Sequence, residues 1–169
     1  IYSISAGSNY LNGTLESGDI ASLTELEYFD MSNNMMFGKL PETMLQTMTS
    51  LRHLDLSLNS FSGSIPANFF DNGEFTDLEL IALSKNYLVG SIPSVGKLVK
   101  LQHLHLDTNK LTGKIPESVY GVTKLVMLML GHNKLHGTLS EMIGDLPNLM
   151  SLHLGSCGLH GTLPSSLAM

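Results

Sequence analysis

The sequence predicts an α/β solenoid: a curved right-handed superhelix with a parallel sheet on its concave face and short helical or irregular segments on its convex face. Three observations predict it. An Asn, or a Cys in the last unit, returns every 23 to 27 residues; a Gly follows it four residues later; and an L-x-x-L-x-L pattern precedes most copies. Segments that repeat at one spacing stack on their copies, so residues 1–169 are expected to form a single array of seven repeats.

The repeated positions define one coil. The Asn or Cys positions are Asn9, Asn34, Asn59, Asn86, Asn109, Asn133 and Cys157. The Gly positions are Gly13, Gly38, Gly63, Gly90, Gly113, Gly137 and Gly161. Leu or Ile comes two residues after each Gly, and in five units a Pro follows it: Pro41, Pro66, Pro93, Pro116 and Pro164.

Each unit starts with a short predicted strand. In the third unit Leu54, Asp55 and Leu56 alternate between apolar and polar, which is the period of a strand with one buried face. Stacked units would pair these strands in parallel, about 4.8 Å apart. The repeated Asn is predicted to point inward, where its amide can pair with the buried backbone groups of neighbouring turns.

The segments between the strands are short and variable, and each carries an apolar residue expected to be buried: Met44, Phe69, Val119 or Ile143. The longest unit has extra loop, with a turn predicted at Asp71, Asn72 and Gly73. Both ends of the chain are abrupt and show no polar capping unit. Because solenoids normally need caps, the chain is expected to be a segment of a longer array.

The L-x-G-x-[IL]-P ending of these units resembles the plant-type subclass of the leucine-rich repeat family, found in receptor-like kinase ectodomains and polygalacturonase-inhibiting proteins. The resemblance extends over the whole chain. It implies an extracellular sensor that recognises a protein or peptide, with transmembrane and kinase regions elsewhere in the parent chain. A secreted inhibitor of a polysaccharide-degrading enzyme and an intracellular structural scaffold are the alternatives.

Composition excludes several other classes of function. The net charge is −6 and only nine residues are Lys or Arg, which argues against nucleic acid or an anionic membrane as the main partner. No apolar run is long enough to span a bilayer. The single cysteine, Cys157, cannot form an internal disulfide, so cysteine usage does not identify the compartment.

The non-Leu positions of the strands should form the exposed surface of the concave sheet, and they are the predicted binding site. An acidic, aromatic end precedes a zone in which apolar side chains flank two histidines. Met side chains suit surfaces that adapt to a ligand. The predicted ligand-binding residues are Tyr28, Asp30, His53, Asp55, His103, His105, Met127, Met129 and His153.

Other chemistry on this face is less favoured, and neither an enzyme nor a cofactor is predicted. Asp30 and Asp55 are expected about 5 Å apart, as in retaining glycosidases, but on an open sheet that does not exclude water. The alternating His53, Asp55 and Ser57 have the residue types of a catalytic triad. Parallel side chains on one strand do not converge, however, as a nucleophile, a base and an orienting carboxylate must.

Histidine chemistry and glycosylation are the remaining alternatives on this surface. A pH-dependent histidine surface is favoured over a soft-metal site at His103, His105 and Met129, because no Cys or carboxylate set completes such a site. Asn12-Gly13-Thr14 is a glycosylation sequon, which agrees with an extracellular setting.

Overall fold

Two parallel sheets run along a stacked array in the computed structural model, which describes residues 1–20, 22–70 and 77–168. The first sheet has seven strands: β1 (Ser3–Ser5), β3 (Tyr28–Asp30), β5 (His53–Asp55), β7 (Leu80–Ala82), β9 (His103–His105), β11 (Met127–Met129) and β13 (Ser151–His153). The second sheet has six: β2 (Asn12–Gly13), β4 (Met35–Lys39), β6 (Ser60–Ser64), β8 (Tyr87–Ser91), β10 (Lys110–Gly113) and β12 (Lys134–Leu135). Strand neighbours in each sheet come from successive repeats, so the predicted solenoid is confirmed.

The second sheet is absent from the sequence prediction. Its five-residue strands begin just after the repeated Asn and end one residue past the repeated Gly, and in each of them one buried apolar residue lies between outward residues. Phe61 and Leu88 are examples of these inward residues, and both are fully buried. Together with Leu54 of β5 and Leu56 just after it, which are also fully buried, they form part of one continuous core.

Five short helices lie outside the two sheets in the described residues, and the segment between β8 and β9 has turns instead. Two are α-helical, α1 (Ser17–Ile20) and α2 (Met44–Thr47), and three are 3-10 helices, Glu117–Gly121, Glu141–Asp145 and Ser165–Ala168. The apolar residues expected to anchor these segments are all buried: Met44, Phe69, Val119 and Ile143. The turn predicted at Asp71, Asn72 and Gly73 lies outside the described residues.

The repeated Asn side chains connect successive coils through backbone hydrogen bonds. The Nδ2 group of Asn109 donates to the Leu106 carbonyl of its own coil at 3.1 Å and to the Leu83 carbonyl of the coil before at 2.9 Å. Its Oδ1 accepts from the Leu88 amide, also in the coil before, at 3.0 Å. The same set of bonds recurs at four further positions: Asn34, Asn59, Asn86 and Asn133.

The two terminal positions of this Asn column differ. Asn9 is exposed and donates to two carbonyls of its own coil, those of Ala6 and Gly7. The buried Cys157 thiol donates to the Leu154 carbonyl of its own coil at 2.7 Å. A thiol supplies one donor where the amide supplies two donors and an acceptor, so it replaces only part of the Asn network.

The residue before each column position has a left-handed backbone, with φ between 52° and 56°. The seven residues are Ser8, Asn33, Leu58, Lys85, Thr108, His132 and Ser156. This conformation is unfavourable for Leu58 and the β-branched Thr108. The left-handed conformation is stabilised by hydrogen bonds to the next coil, because it turns the backbone amide toward that coil. The Leu58 amide donates to the Ser84 carbonyl at 2.9 Å, and the Thr108 amide donates to the Gly131 carbonyl at 2.8 Å.

Candidate functional site

The outward side chains of the first sheet form two rows that run across the strands. One row follows the pairings Tyr28 to His53, His53 to Leu80, Leu80 to His103 and His103 to Met127. The other follows Asp30 to Asp55, Asp55 to Ala82, Ala82 to His105, His105 to Met129 and Met129 to His153. All nine residues of the predicted binding set therefore lie in two adjacent rows on one sheet. We call this surface the first-sheet face.

An aromatic stack forms one end of the first-sheet face. The Tyr28 and His53 rings lie 4.2 Å apart, centroid to centroid, with an interplanar angle of 17°. Burial lowers the pKa of His53, and the carboxylates of Asp55 and Asp30 oppose that change. Burial also raises the pKa of Tyr28, with smaller contributions from the same two carboxylates. Both rings are therefore uncharged at neutral pH and present a flat surface beside two negative charges.

The two carboxylates of this end are oriented by the turns that follow their strands. Asp30 Oδ1 accepts from the Ser32 amide at 2.8 Å. Asp55 Oδ1 accepts from the Ser57 amide at 2.8 Å and from the Ser57 hydroxyl at 2.6 Å. Because these bonds hold the carboxylates in place, they provide a preorganised negative site for a cationic group.

Two histidines occupy the middle of the first-sheet face. The His103 and His105 rings meet edge to face, with centroids 5.9 Å apart. Burial lowers the pKa of His105, His103 lowers it further, and Asp107 and Asp55 oppose the change. His105 Nε2 is buried and has no hydrogen-bond partner within the described part of the chain. An unpaired buried nitrogen is costly, and this cost adds to the effect of burial in disfavouring the charged form of His105.

The other end of the face combines methionine and histidine around a hollow. A cavity of about 350 Å³ is lined by Met129, His132 and His153, with Asp107 and two glycines beside them. His153 Nε2 lies 2.9 Å from the Ser151 hydroxyl.

Asp107 and His132 are not among the nine predicted ligand-binding residues. The Asp107 carboxylate accepts a short hydrogen bond from the Ser84 hydroxyl of the coil before, a contact that depends on side-chain rotamers and leaves no pattern in the sequence.

The geometry of His53, Asp55 and Ser57 does not form a charge-relay arrangement. The Ser57 hydroxyl donates to Asp55 rather than to an imidazole, and the His53 ring stacks on Tyr28. A nucleophile needs its hydroxyl bonded to the base. Within residues 1–20, 22–70 and 77–168, no group of three or more His, Cys, Asp or Glu side chains has an arrangement that could hold a metal ion.

The family follows from comparison with other proteins. The leucine rich repeat model matches residues 99–159, and a second model of the same description matches residues 50–72. The structure of Pollen Receptor Kinase 3 is 34% identical over 95% of this chain and 76% of its own, with a TM-score of 0.84. This chain belongs to the leucine-rich repeat family. No curated protein sequence matches it.

This leucine-rich repeat chain is also similar to ectodomains of plant membrane receptor kinases. The GASSHO1/SCHENGEN3 ectodomain from Arabidopsis thaliana, in complex with CASPARIAN STRIP INTEGRITY FACTOR 2, is 38% identical over 95% of this chain, with a TM-score of 0.87. PEPR1 in its complex with AtPEP1 is 30% identical over 98% of this chain, with a TM-score of 0.88. The chain spans 19% of the first of these structures and 22% of the second. In the described ranges, no helix has the length and apolarity needed to cross a membrane.

Proposed function

We propose that this chain recognises an extended peptide or protein segment on the first-sheet face, as part of a cell-surface, receptor-like ectodomain. Its similarity to the structures of a plant peptide hormone receptor, RGFR1, and of the receptor kinase HAESA with a peptide hormone ligand supports the class of function. It also supports an extracellular setting, with transmembrane and kinase regions elsewhere in the parent chain. The whole chain 1–169 acts in this proposal as one segment of a longer repeat array.

The charge and the apolar side chains of the first-sheet face support a ligand that carries both basic and apolar residues. The strands of the first sheet contain Asp30 and Asp55 and neither Lys nor Arg. A basic ligand residue would be attracted to the end with Tyr28 and His53, where a cation can contact both a carboxylate and an aromatic ring. Apolar ligand side chains would pack on Met127 and Met129. The observation that carries the proposal is the alignment of these polar, aromatic and apolar side chains in two adjacent rows of one sheet.

The test is selection of ligands from a phage-displayed library of random peptides. Seven strands spaced about 4.8 Å apart span roughly 30 Å, which an extended peptide of about ten residues covers. We expect the selected peptides to carry Lys or Arg together with apolar residues. Asp55→Lys and Met129→Asp should each weaken their binding about tenfold or more, with little change in the thermal midpoint, since each introduces an unfavourable charge at the contact.

Matched controls separate the first-sheet face from general effects of charge. Asp145→Lys and Met142→Asp make the same changes at exposed positions of the 3-10 helix Glu141–Asp145, away from this sheet. We expect both control variants to bind the peptides as tightly as the parent chain. Equal affinity of the parent chain, Asp55→Lys and Met129→Asp would refute the proposal.

Glycosylation of Asn12 belongs to the same proposal. Asn12 is exposed on β2 of the second sheet, so a glycan attached there would leave the first-sheet face open. Intact-mass measurement of the secreted chain, with Asn12→Gln as the control, tests whether a glycan is attached. A secreted chain with the unmodified mass would remove this modification from the proposal.

A further inference from the structure

The strands of the two sheets carry opposite charges. The first-sheet strands contain two aspartates, Asp30 and Asp55, whereas the second-sheet strands contain three lysines and no Asp or Glu: Lys39, Lys110 and Lys134. The protein as a whole has 15 acidic and nine basic residues. A sheet that carries only positive charge in an acidic protein concentrates that charge on one side of the molecule.

The lysines stand in regular rows with hydroxyl side chains. The strand pairings place Lys39 beside Ser62, and Ser62 beside Tyr87. The next row follows Ser64 to Val89 and Val89 to Lys110. A third row follows Ser91 to Thr112 and Thr112 to Lys134. Each row therefore offers one ammonium group and one or two hydroxyl groups, all of which can donate hydrogen bonds to a carboxylate.

None of these lysines has a carboxylate partner within the described part of the chain. The ion pairs there join Arg52 to Glu27 and Glu79, and Lys100 to Asp77. The Lys110 ammonium instead lies 5.0 Å from the centroid of the Tyr87 ring. The positive charge of the second sheet is therefore available to groups outside the chain.

The same surface exposes large apolar side chains. Tyr87 is 52% exposed, Phe37 and Met35 are each 47% exposed, and Val89 is 41% exposed. All four lie on the outward positions of β4 and β8. Exposed apolar groups flanked by like charges are typical of a contact surface rather than of a surface adapted only to water.

We propose that the second-sheet face, formed by Phe37, Lys39, Tyr87, Val89, Lys110 and Lys134, binds an acidic polypeptide segment of a partner protein. The charge of the face selects an anionic partner. The exposed Phe37 and Val89 side chains favour a polypeptide, whose apolar side chains can pack on them, over an acidic polysaccharide, which has none. Strands β4 to β12 span about 20 Å, enough for an extended segment of about six residues.

The residues of this face are distinct from those of the first-sheet face. Because binding here would depend partly on charge, it should be sensitive to salt. Exposed charges are screened over about 8 Å at physiological ionic strength. Binding should therefore weaken steadily as salt rises, while the apolar contacts with Phe37 and Tyr87 retain part of the affinity at high salt.

The test uses a fluorescent synthetic peptide in which Glu alternates with Leu and Tyr, and fluorescence anisotropy with the purified protein. A peptide with Gln in place of each Glu is the uncharged control. The variant Lys39→Glu/Lys110→Glu reverses the charge of the face. The matched variant Lys97→Glu/Lys124→Glu makes the same change in net charge at exposed lysines outside both sheets. Circular dichroism checks that both variants remain folded.

We expect the parent chain to bind the Glu peptide and not the Gln peptide. Lys39→Glu/Lys110→Glu should weaken binding about tenfold, because two attractions become repulsions. The matched variant should change binding by no more than about twofold. Tyr87→Ala should also weaken binding, since it removes an exposed ring from the contact.

Several results would overturn the proposal. Equal losses in the two double variants would show a response to net charge alone. Absence of binding to the Glu peptide would remove the polypeptide partner. Tighter binding of a polygalacturonate oligomer, lost in Lys39→Glu/Lys110→Glu, would assign the face to a polysaccharide. A sedimentation coefficient that shows self-association and falls in the same variant, without peptide binding, would assign it to a second copy of the chain.

Discussion

Replacing Asn109 by Ala tests whether the Asn column holds successive coils together. Asn109 is 9% exposed, and its side chain bonds to three carbonyls and one amide, with the Leu83 carbonyl at 2.9 Å and the Leu88 amide at 3.0 Å in the coil before. Ala leaves these groups without the side-chain partner. Each buried group left unsatisfied costs about 1–3 kcal/mol, so we expect unfolding free energy to fall by about 3–5 kcal/mol for the set.

Urea denaturation followed by circular dichroism measures this loss, with Asn9→Ala as the matched control. Asn9 occupies the same position of the repeat, but it is exposed and bonds only to Ala6 and Gly7 of its own coil. We expect Asn9→Ala to cost less than about 1 kcal/mol. Equal destabilisation by the two substitutions would refute the idea that bonds between coils, rather than turn formation within a coil, make the Asn important.

Three further predictions concern pH and packing. Hydrogen bonds from the Ser166 amide and then the Ser165 amide lower the pKa of Glu141, so its stabilising effect is present above its ordinary pKa of 4.5 and lost as pH falls through the lowered value. Glu141→Gln should therefore lower the thermal midpoint at pH 7 and have no effect in strong acid. Burial lowers the pKa of His105, so stability should decrease as pH falls below 6.5, and His105→Gln should flatten that dependence in urea titrations. Gly144→Ala should destabilise by about 1–3 kcal/mol in the same assay, because its Cβ would overlap Ser166 Cβ and lie 2.6 Å from the Ser166 carbonyl oxygen.

The strand register could be predicted because it depends only on spacing. Once Leu54 and Leu104 are recognised as equivalent positions, the residues beside them must fall in rows, and the structure pairs Asp30 with Asp55 as expected. The second sheet could not be predicted from one repeat, because each of its strands has a single buried apolar residue between the Asn and the Gly, too few to define an alternating pattern. The signal is the recurrence of this residue from repeat to repeat, as Phe61 and Leu88.

The fine structure of the candidate site could not be read from the sequence. The unpaired Nε2 of His105 and the bond from Ser84 to Asp107 depend on rotamers and on how closely neighbouring coils approach. Similarly, Leu58 occupies a position where the other repeats have a small or polar residue. The sequence does not show that this position requires a left-handed backbone, which is unfavourable for Leu. Spacing determines which residues are neighbours, whereas packing determines which of their atoms meet.

Cys157 occupies the position that is Asn in the other repeats, and this changes the contacts between the last coil and the one before it. Asn133 reaches back through buried amide bonds to Leu106 and Leu111, whereas the Cys157 thiol bonds only within its own coil, to the Leu154 carbonyl. At this joint the exposed Glu141 carboxylate instead accepts hydrogen bonds from the Ser165 amide and hydroxyl and from the Ser166 amide. The joint between the last two coils therefore lacks the buried amide bonds of the five joints before it, and under tension or in acid we expect it to separate first.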